Sequence, residues 1–122
     1  MKIAIPVDEK DLKTNVCVSF GRAPYFLVYD TDTDKSVFIE NKAAVSAGGA
    51  GIKAAQAIVD SGANVLLAPR CGENAANVIL ESGIKIFKTE FSLAKENIDA
   101  FIGDKLSELD EIHSGYHGIG SN

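Results

Sequence analysis

The chain has 122 residues, 46% of them apolar, which is enough for one domain with a single hydrophobic core. Its formal net charge of −5 argues against non-specific binding to nucleic acid, which requires positive charge on the protein. No apolar run is long enough to cross a membrane and no secretory signal is evident, so the expected compartment is the cytoplasm. There the cysteines, Cys17 and Cys71, are expected to be reduced.

The first third of the chain predicts three strands. Residues Lys2–Val7 are nearly all apolar, which is typical of a buried strand, and a polar surface loop, Asp8–Asn15, follows them. The segment Tyr25–Asp30 is rich in aromatic and branched residues, and Ser36–Asn41 follows it after the polar turn Thr31–Lys35. Because that turn is short, we expect the second and third strands to form an antiparallel hairpin.

From residue 46 onward, helices are predicted to alternate with strands. A glycine-rich loop, Ser46–Gly51, leads into a helix predicted over residues 52–61, with Gly62 as its stop. Further strands are predicted over 64–69 and 84–88. A second helix starts near Gly72 and ends at Gly83, and a third is capped by Ser92 and stopped by Gly103.

The end of the chain is predicted to contribute little to the fold. Leu106, Leu109 and Ile112 are expected to pack as a short final turn or strand. Residues 113–122 are rich in Gly, Ser and His and are interpreted as a flexible tail, so the domain is expected to span residues 1–112.

The element order β-β-β-α-β-α-β-α favours one architecture. Strand-helix-strand units place their strands parallel with right-handed crossovers. The simplest sheet therefore has five strands in the order 3-2-1-4-5, with strand 2 antiparallel and helices on both faces. The predicted fold class is a three-layer α/β/α protein with a mixed sheet.

This topology predicts where a site lies. Strands 1, 4 and 5 end at one edge of the sheet, strand 2 begins there and strand 3 ends there. Four segments should therefore converge at this edge: Asp8–Arg22, Asn41–Gly51, Pro69–Asn74 and Lys88–Phe91. The crossovers change direction between strands 1 and 4, and open α/β sheets bind ligands at such a switch point.

The turn Phe20–Phe26, with the sequence FGRAPYF, is the most distinctive stretch. We expect Gly21 to adopt a positive φ, while Pro24 restricts the backbone. Arg22 would present a fork-shaped donor to an anion or a carboxylate. The alternative is a hairpin corner that sends two aromatic side chains into the core.

Other candidates at the edge each have two interpretations. Cys71 precedes a helix and follows Arg70, which favours a thiolate able to bind metal; the alternative is a small buried hydrophobe. Cys17 has apolar neighbours, which favours a core position, and two distant cysteines are a weak metal signal. The glycines before the first helix could present N–H groups to an anion or merely allow a tight turn (Gly48, Gly49 and Gly51).

Two further groups could hold a metal. Asp8 follows a strand and could bind a metal or accept a hydrogen bond from Arg22, although an exposed loop carboxylate is the commoner role. His113 and His117 are spaced i, i+4 and could share a metal ligand, or they belong to a solvated tail.

The FGRAPYF turn, the Gly-Gly-Ala-Gly helix start and the strand order together resemble the dinitrogenase iron-molybdenum cofactor biosynthesis family. That family includes small cofactor carriers of nitrogenase assembly, and the resemblance covers roughly Met1–Leu109. It implies a ribonuclease H-like fold and binding of iron-sulfur or iron-molybdenum clusters rather than turnover. Family members often carry His before the Phe-Gly, where this chain has Ser19, so ligation would rest on Cys71, Cys17 or the tail histidines.

Three functions follow as hypotheses. The first is a small non-catalytic carrier whose cofactor is an iron-sulfur or iron-molybdenum cluster, or a related metal species. The second is a regulatory module that docks a protein partner without metal. The third is a metal-dependent nuclease using Asp8, Asp30 and Asp110, although Asp30 should lie at the opposite edge from Asp8. No nucleic-acid or membrane partner is expected.

Overall fold

The computed structural model describes residues 1–109 of the chain. The elements lie close to their predicted positions: β1 (Lys2–Val7), β2 (Tyr25–Asp30), β3 (Lys35–Glu40), α1 (Ala50–Asp60), β4 (Val65–Ala68), α2 (Glu73–Glu81), β5 (Lys85–Lys88) and α3 (Ala94–Ile102). A short 3₁₀ helix, Lys42–Val45, was not predicted. Gly62 and Gly83 follow the ends of α1 and α2, and Gly103 caps the end of α3, as expected. The predicted domain end at residue 112 and the tail lie outside the described residues.

The five strands form one sheet in the predicted order β3-β2-β1-β4-β5. β2 runs antiparallel to both β1 and β3, whereas β1, β4 and β5 are parallel. The outer edge of β5 is covered by the chain that follows α3, since the Lys88 N–H donates to the Ser107 carbonyl (2.8 Å) and the Leu109 N–H to the Ile86 carbonyl (2.9 Å). This is the predicted final strand-like segment, of which Ile112 lies outside the described part.

Helices cover both faces of the sheet, which confirms the three-layer prediction. Alternate residues of a strand point to opposite faces, so Ala4 of β1 packs in the cluster with α1 and α2, while Ile3 and Ile5 pack in the cluster with α3. The facing surfaces of α1 and α2 are rich in buried alanines, namely Ala54, Ala55, Ala75 and Ala76. Such small side chains let two helices approach closely, which brings their N-termini near each other. No helix within residues 1–109 is long and apolar enough to span a membrane.

The predicted cap of α3 is wrong. The N-cap residue is Leu93 rather than Ser92, and it makes no side-chain capping hydrogen bond. Instead the fully buried Asn97, inside the helix, reaches back to the preceding loop. Its Oδ1 accepts from the Glu90 and Phe91 N–H groups (2.8 and 3.1 Å), and its Nδ2 donates to the Phe91 and Leu93 carbonyls (2.7 and 2.9 Å). A polar side chain in mid-helix therefore fixes this loop, which the capping pattern could not indicate.

Candidate functional site

A cleft of about 660 Å³ lies at the predicted edge of the sheet. Three chain segments line this edge cleft: the turn before β2 (Val18–Arg22), the start of α1 (Gly49–Ile52) and the β4–α2 connection (Arg70–Ala75). They come from three of the four segments that were expected to converge there. The edge cleft therefore lies where the strand order places a switch point.

The fourth predicted segment lines a separate, neighbouring groove of about 430 Å³. Glu90 and Phe91 lie there beside Asp8, and Val18 lines both the groove and the edge cleft. Val18 and Phe91 are exposed apolar side chains. The edge of the sheet thus carries two adjacent surfaces of different chemistry.

Gly21 has a role that differs from the one predicted. A positive φ occurs at Gly49, Gly62 and Gly83 among the described glycines, but not at Gly21. A Cβ at residue 21 would lie 3.1 Å from both the Cα and the N of Gly51. The missing side chain therefore allows the turn before β2 to pack directly on the backbone of the first turn of α1.

The aromatic side chains of the same turn enter the core. Phe20 and Phe26 are buried, and their ring centroids lie 5.3 Å apart. This confirms the hairpin-corner interpretation of the FGRAPYF stretch. It leaves the binding interpretation open as well, because the exposed Arg22 lies between the two rings in sequence and lines the cleft.

Arg22 is held in place by backbone carbonyls. Its Nη1 donates to the carbonyls of Ala44 (2.9 Å) and Ser46 (2.8 Å). Within residues 1–109 the other guanidinium nitrogens make no hydrogen bond, and Arg22 forms no salt bridge. One arm of the fork is thus anchored to the protein while the rest remains available at the cleft.

Two helix N-termini meet at the cleft. Gly49, with a φ of 67° that a residue with a side chain adopts less easily, is the N-cap of α1, and Gly72 is the N-cap of α2. Neither residue supplies a side-chain capping hydrogen bond. Backbone N–H groups of the first turn have no partner inside a helix, and the helix dipole adds partial positive charge there. These two starts therefore supply donors suited to an anion.

The predicted glycine loop is divided by the structure. Gly49 and Gly51 line the cleft, whereas Gly48 does not. The Gly48 carbonyl instead accepts a hydrogen bond from Ser46 Oγ (2.7 Å). Gly48 therefore helps to hold the loop before α1 in shape rather than lining the cleft.

Arg70 is a cleft residue that the sequence reasoning noted only as a neighbour of Cys71. It is exposed, lines the cleft and forms no ion pair within the described part of the chain. Its position directly after a parallel strand was a signal that could have identified it. With Arg22 it gives the cleft two cationic side chains, opposed by the carboxylate of Glu73 in the first turn of α2.

Cys71 lines the cleft but is only 1% exposed and packs in the hydrophobic core. Burial raises the pKa of its thiol to about 11. This direction is opposite to the thiolate interpretation, and its cause is the loss of solvation on burial. In the protein alone, Cys71 matches the alternative of a small buried hydrophobe.

The raised pKa of Cys71 predicts a loss of stability at alkaline pH. The thiol should stay protonated in the folded protein but ionise when unfolded, so the free energy of unfolding should fall as pH rises from about 9 towards 11. We would measure urea unfolding from pH 8 to 11 in a Cys17→Ala background, with and without Cys71→Ala. Equal pH dependence in the two proteins would contradict the assignment.

Of the remaining predicted ligands, Cys17 is the one that the described residues include, and it does not line the edge cleft. Cys17 is half-buried, packs against the core and has its Sγ 3.6 Å from the Ser19 carbonyl; burial raises the pKa of its thiol. His113 and His117 lie outside the described residues. Residues 107–109 run antiparallel to β5, and so away from the edge that holds the cleft. Ser19, at the position of the usual family histidine, does line the cleft.

The acidic set of the nuclease hypothesis is not brought together. Asp8 follows the end of β1 at the cleft edge, while Asp30 pairs with Lys2 at the opposite end of the sheet. Asp110 lies outside the described residues. Among residues 1–109, no group of three or more His, Cys, Asp or Glu side chains is placed to hold a metal ion.

The structure defines a small three-layer α/β/α protein whose edge cleft combines two helix starts with two arginines. The sequence matches the family described as dinitrogenase iron-molybdenum cofactor over residues 1–104, and the chain belongs to that family. The resemblance inferred from the FGRAPYF turn is thereby confirmed.

Solved structures of similar proteins share this fold. The apo form of the orange protein from Desulfovibrio gigas superposes with a TM-score of 0.84 at 30% identity, covering 89% of this chain and 92% of that one. A Thermotoga protein of the DUF35 family gives a TM-score of 0.81 at 35% identity, covering 94% of this chain and 98% of that one. An uncharacterized protein of Methanocaldococcus jannaschii is 28% identical over 113 residues, covering 90% of this chain and 92% of the relative.

Proposed function

We propose that this protein is a small carrier that binds an anionic metal-sulfur cluster, of iron-sulfur or iron-molybdenum type, in the edge cleft. The observation that carries the proposal is that two helix N-termini, neither capped by a side chain, meet Arg22 and Arg70 at one cleft. Family membership supports a role in the biosynthesis or binding of such a cofactor.

The chemistry of the cleft suits an anion with several acceptor atoms. Each helix N-terminus carries about half a positive charge, and charge-assisted hydrogen bonds to a guanidinium are stronger than neutral ones. Glu73 offsets part of this positive charge. The net charge of the whole chain is −5, so the cleft is a local site of positive charge on an acidic protein.

In this proposal the cluster is held by hydrogen bonds and charge rather than by a thiolate. Cys71 is 1% exposed and burial raises the pKa of its thiol to about 11 in the protein alone, so ligation by its sulfur would require loss of that proton on binding. The described cleft offers N–H and guanidinium donors rather than a nucleophile beside a base, which favours binding over catalysis. Direct ligation by Cys71 is the competing arrangement, and anaerobic reconstitution of the Cys71→Ala variant distinguishes the two.

Anaerobic reconstitution tests the proposal. The protein is incubated with iron, sulfide and molybdate and desalted, and its visible absorption and metal content are measured. We expect the wild type and Cys71→Ala to retain metal, and Arg70→Ala to retain less. Lys85→Ala, which removes a positive charge away from the cleft, is the control and should retain metal like the wild type. Loss in Cys71→Ala alone would establish thiolate ligation, and absence of metal in the wild type would contradict a carrier function.

A second candidate is a protein-interaction module, favoured by the groove beside the cleft. Val18 and Phe91, which line that groove, are 68% and 49% exposed. Exposed apolar side chains near polar ones are typical of docking surfaces. If the wild type retains no metal and Phe91→Ser abolishes capture of a specific protein from native lysate, this function replaces the carrier role.

A further inference from the structure

Asn41 joins the turn before β2, which lines the edge cleft, to the 3₁₀ helix that follows β3. It is a buried residue, 4% exposed, between β3 and the 3₁₀ helix. Its Nδ2 donates to the carbonyls of Gly21 (3.2 Å) and Ala23 (2.8 Å), and its Oδ1 accepts from the Ala43 N–H (3.2 Å). One side chain thus binds the turn before β2 and also caps the 3₁₀ helix.

The 3₁₀ helix capped by Asn41 carries one of the carbonyls that hold Arg22, and the next residue after it carries the other. Arg22 Nη1 donates to Ala44, inside the helix, and to Ser46, its C-cap. The Ser46 N–H donates to Ala43 (2.9 Å), and Ser46 Oγ donates to Gly48, next to the N-cap of α1. A continuous series of hydrogen bonds therefore links Asn41 to the guanidinium and to Gly48, the residue before the N-cap of α1.

We propose that Asn41 is a positioning residue for the edge cleft, which fixes the Arg22 guanidinium relative to the N-terminus of α1. Its side chain does not line the cleft and would act through Arg22 and the Ala43–Gly48 backbone. The inference rests on the proposed function, because Asn41 would hold Arg22 in position for binding an anion in the edge cleft. Buried side-chain amides with both ends satisfied are suited to this task, since leaving either end unsatisfied is costly.

Asn97 is a matched control for this role. It is also a fully buried Asn whose Oδ1 accepts from backbone N–H groups and whose Nδ2 donates to two carbonyls. It holds the loop of the neighbouring groove rather than the edge cleft. Asn41→Ser and Asn97→Ser each remove two donated hydrogen bonds without adding charge, so they separate a local effect on the cleft from a general loss of stability.

The first measurement is binding of tetrathiomolybdate, a dianion of molybdenum and sulfur, to the full chain. We expect Asn41→Ser to weaken binding about tenfold and Asn97→Ser to leave it within about twofold. Urea unfolding should show similar losses of stability in both. Equal weakening by the two substitutions, or wild-type affinity in Asn41→Ser, would overturn the inference.

The second measurement requires no ligand. Amide hydrogen exchange at Ala44 and Ser46, and the NMR resonance of the Arg22 Nε–H, should change in Asn41→Ser and not in Asn97→Ser. If the reconstituted wild type retains no metal, the proposed function fails, while these ligand-free signals still show whether Asn41 holds Arg22 in place. Unchanged exchange and an unchanged Arg22 resonance in Asn41→Ser would overturn the inference whatever the binding result.

Discussion

Replacing Arg22 and Arg70 together by alanine is expected to weaken tetrathiomolybdate binding about a hundredfold. A hydrogen bond to a charged group contributes roughly 1.5–3 kcal/mol, and about 1.4 kcal/mol corresponds to a tenfold change in affinity. Both side chains line the edge cleft, and neither forms a salt bridge among residues 1–109. Titration under anaerobic conditions at fixed ionic strength measures the change.

The control is the double variant Lys35→Ala, Lys85→Ala. These lysines stand at the starts of β3 and β5, at the edge of the sheet opposite the cleft, and their loss changes the formal charge equally. Equal weakening in both double variants would show that total charge, rather than the cleft, governs binding. Because Arg22 also anchors two carbonyls, the single variant Arg70→Ala isolates binding from loop order, and we expect it to lose about tenfold.

Gly21→Ala is expected to lower the free energy of unfolding by about 1–3 kcal/mol, the range for forcing extra atoms into a packed site. The added Cβ would meet the Gly51 backbone at 3.1 Å, and a helix backbone cannot turn aside as a flexible side chain can. We expect the first turn of α1 to shift away from the turn before β2. Urea unfolding and the amide resonances of Ala50 and Gly51 measure the two effects.

Gly48→Ala is the matched control for this substitution. A Cβ at residue 48 meets nothing within 4 Å, and its φ is not positive. The free energy of unfolding should therefore change by only a few tenths of a kcal/mol. A Gly21→Ala protein as stable as Gly48→Ala would show that the contact between the turn and α1 adjusts freely.

The position of the candidate site could be predicted from the sequence, but the hydrogen bonds that hold its residues in place could not. Arg22, Gly49, Gly51 and Cys71 were placed at this edge from the sequence, and all four line the cleft. Asn41 was assigned to the end of a strand and to the start of a segment that converges at this edge, but no role was assigned to its side chain. Its role depends on carbonyls 18 and 20 positions earlier in the chain, so no local pattern could reveal it.

The strands, the three α-helices, the sheet order and the edge at which the segments meet could all be predicted from the sequence. These follow from hydrophobic periodicity and from the handedness of crossovers, which are properties of neighbouring residues and of chain order. Three features could not be predicted: the close packing at Gly21, the hydrogen bonds by which Asn41 and Asn97 hold loops, and the raised pKa of Cys71. Each of these depends on burial or on atoms contributed by distant segments, which come together only in the folded chain.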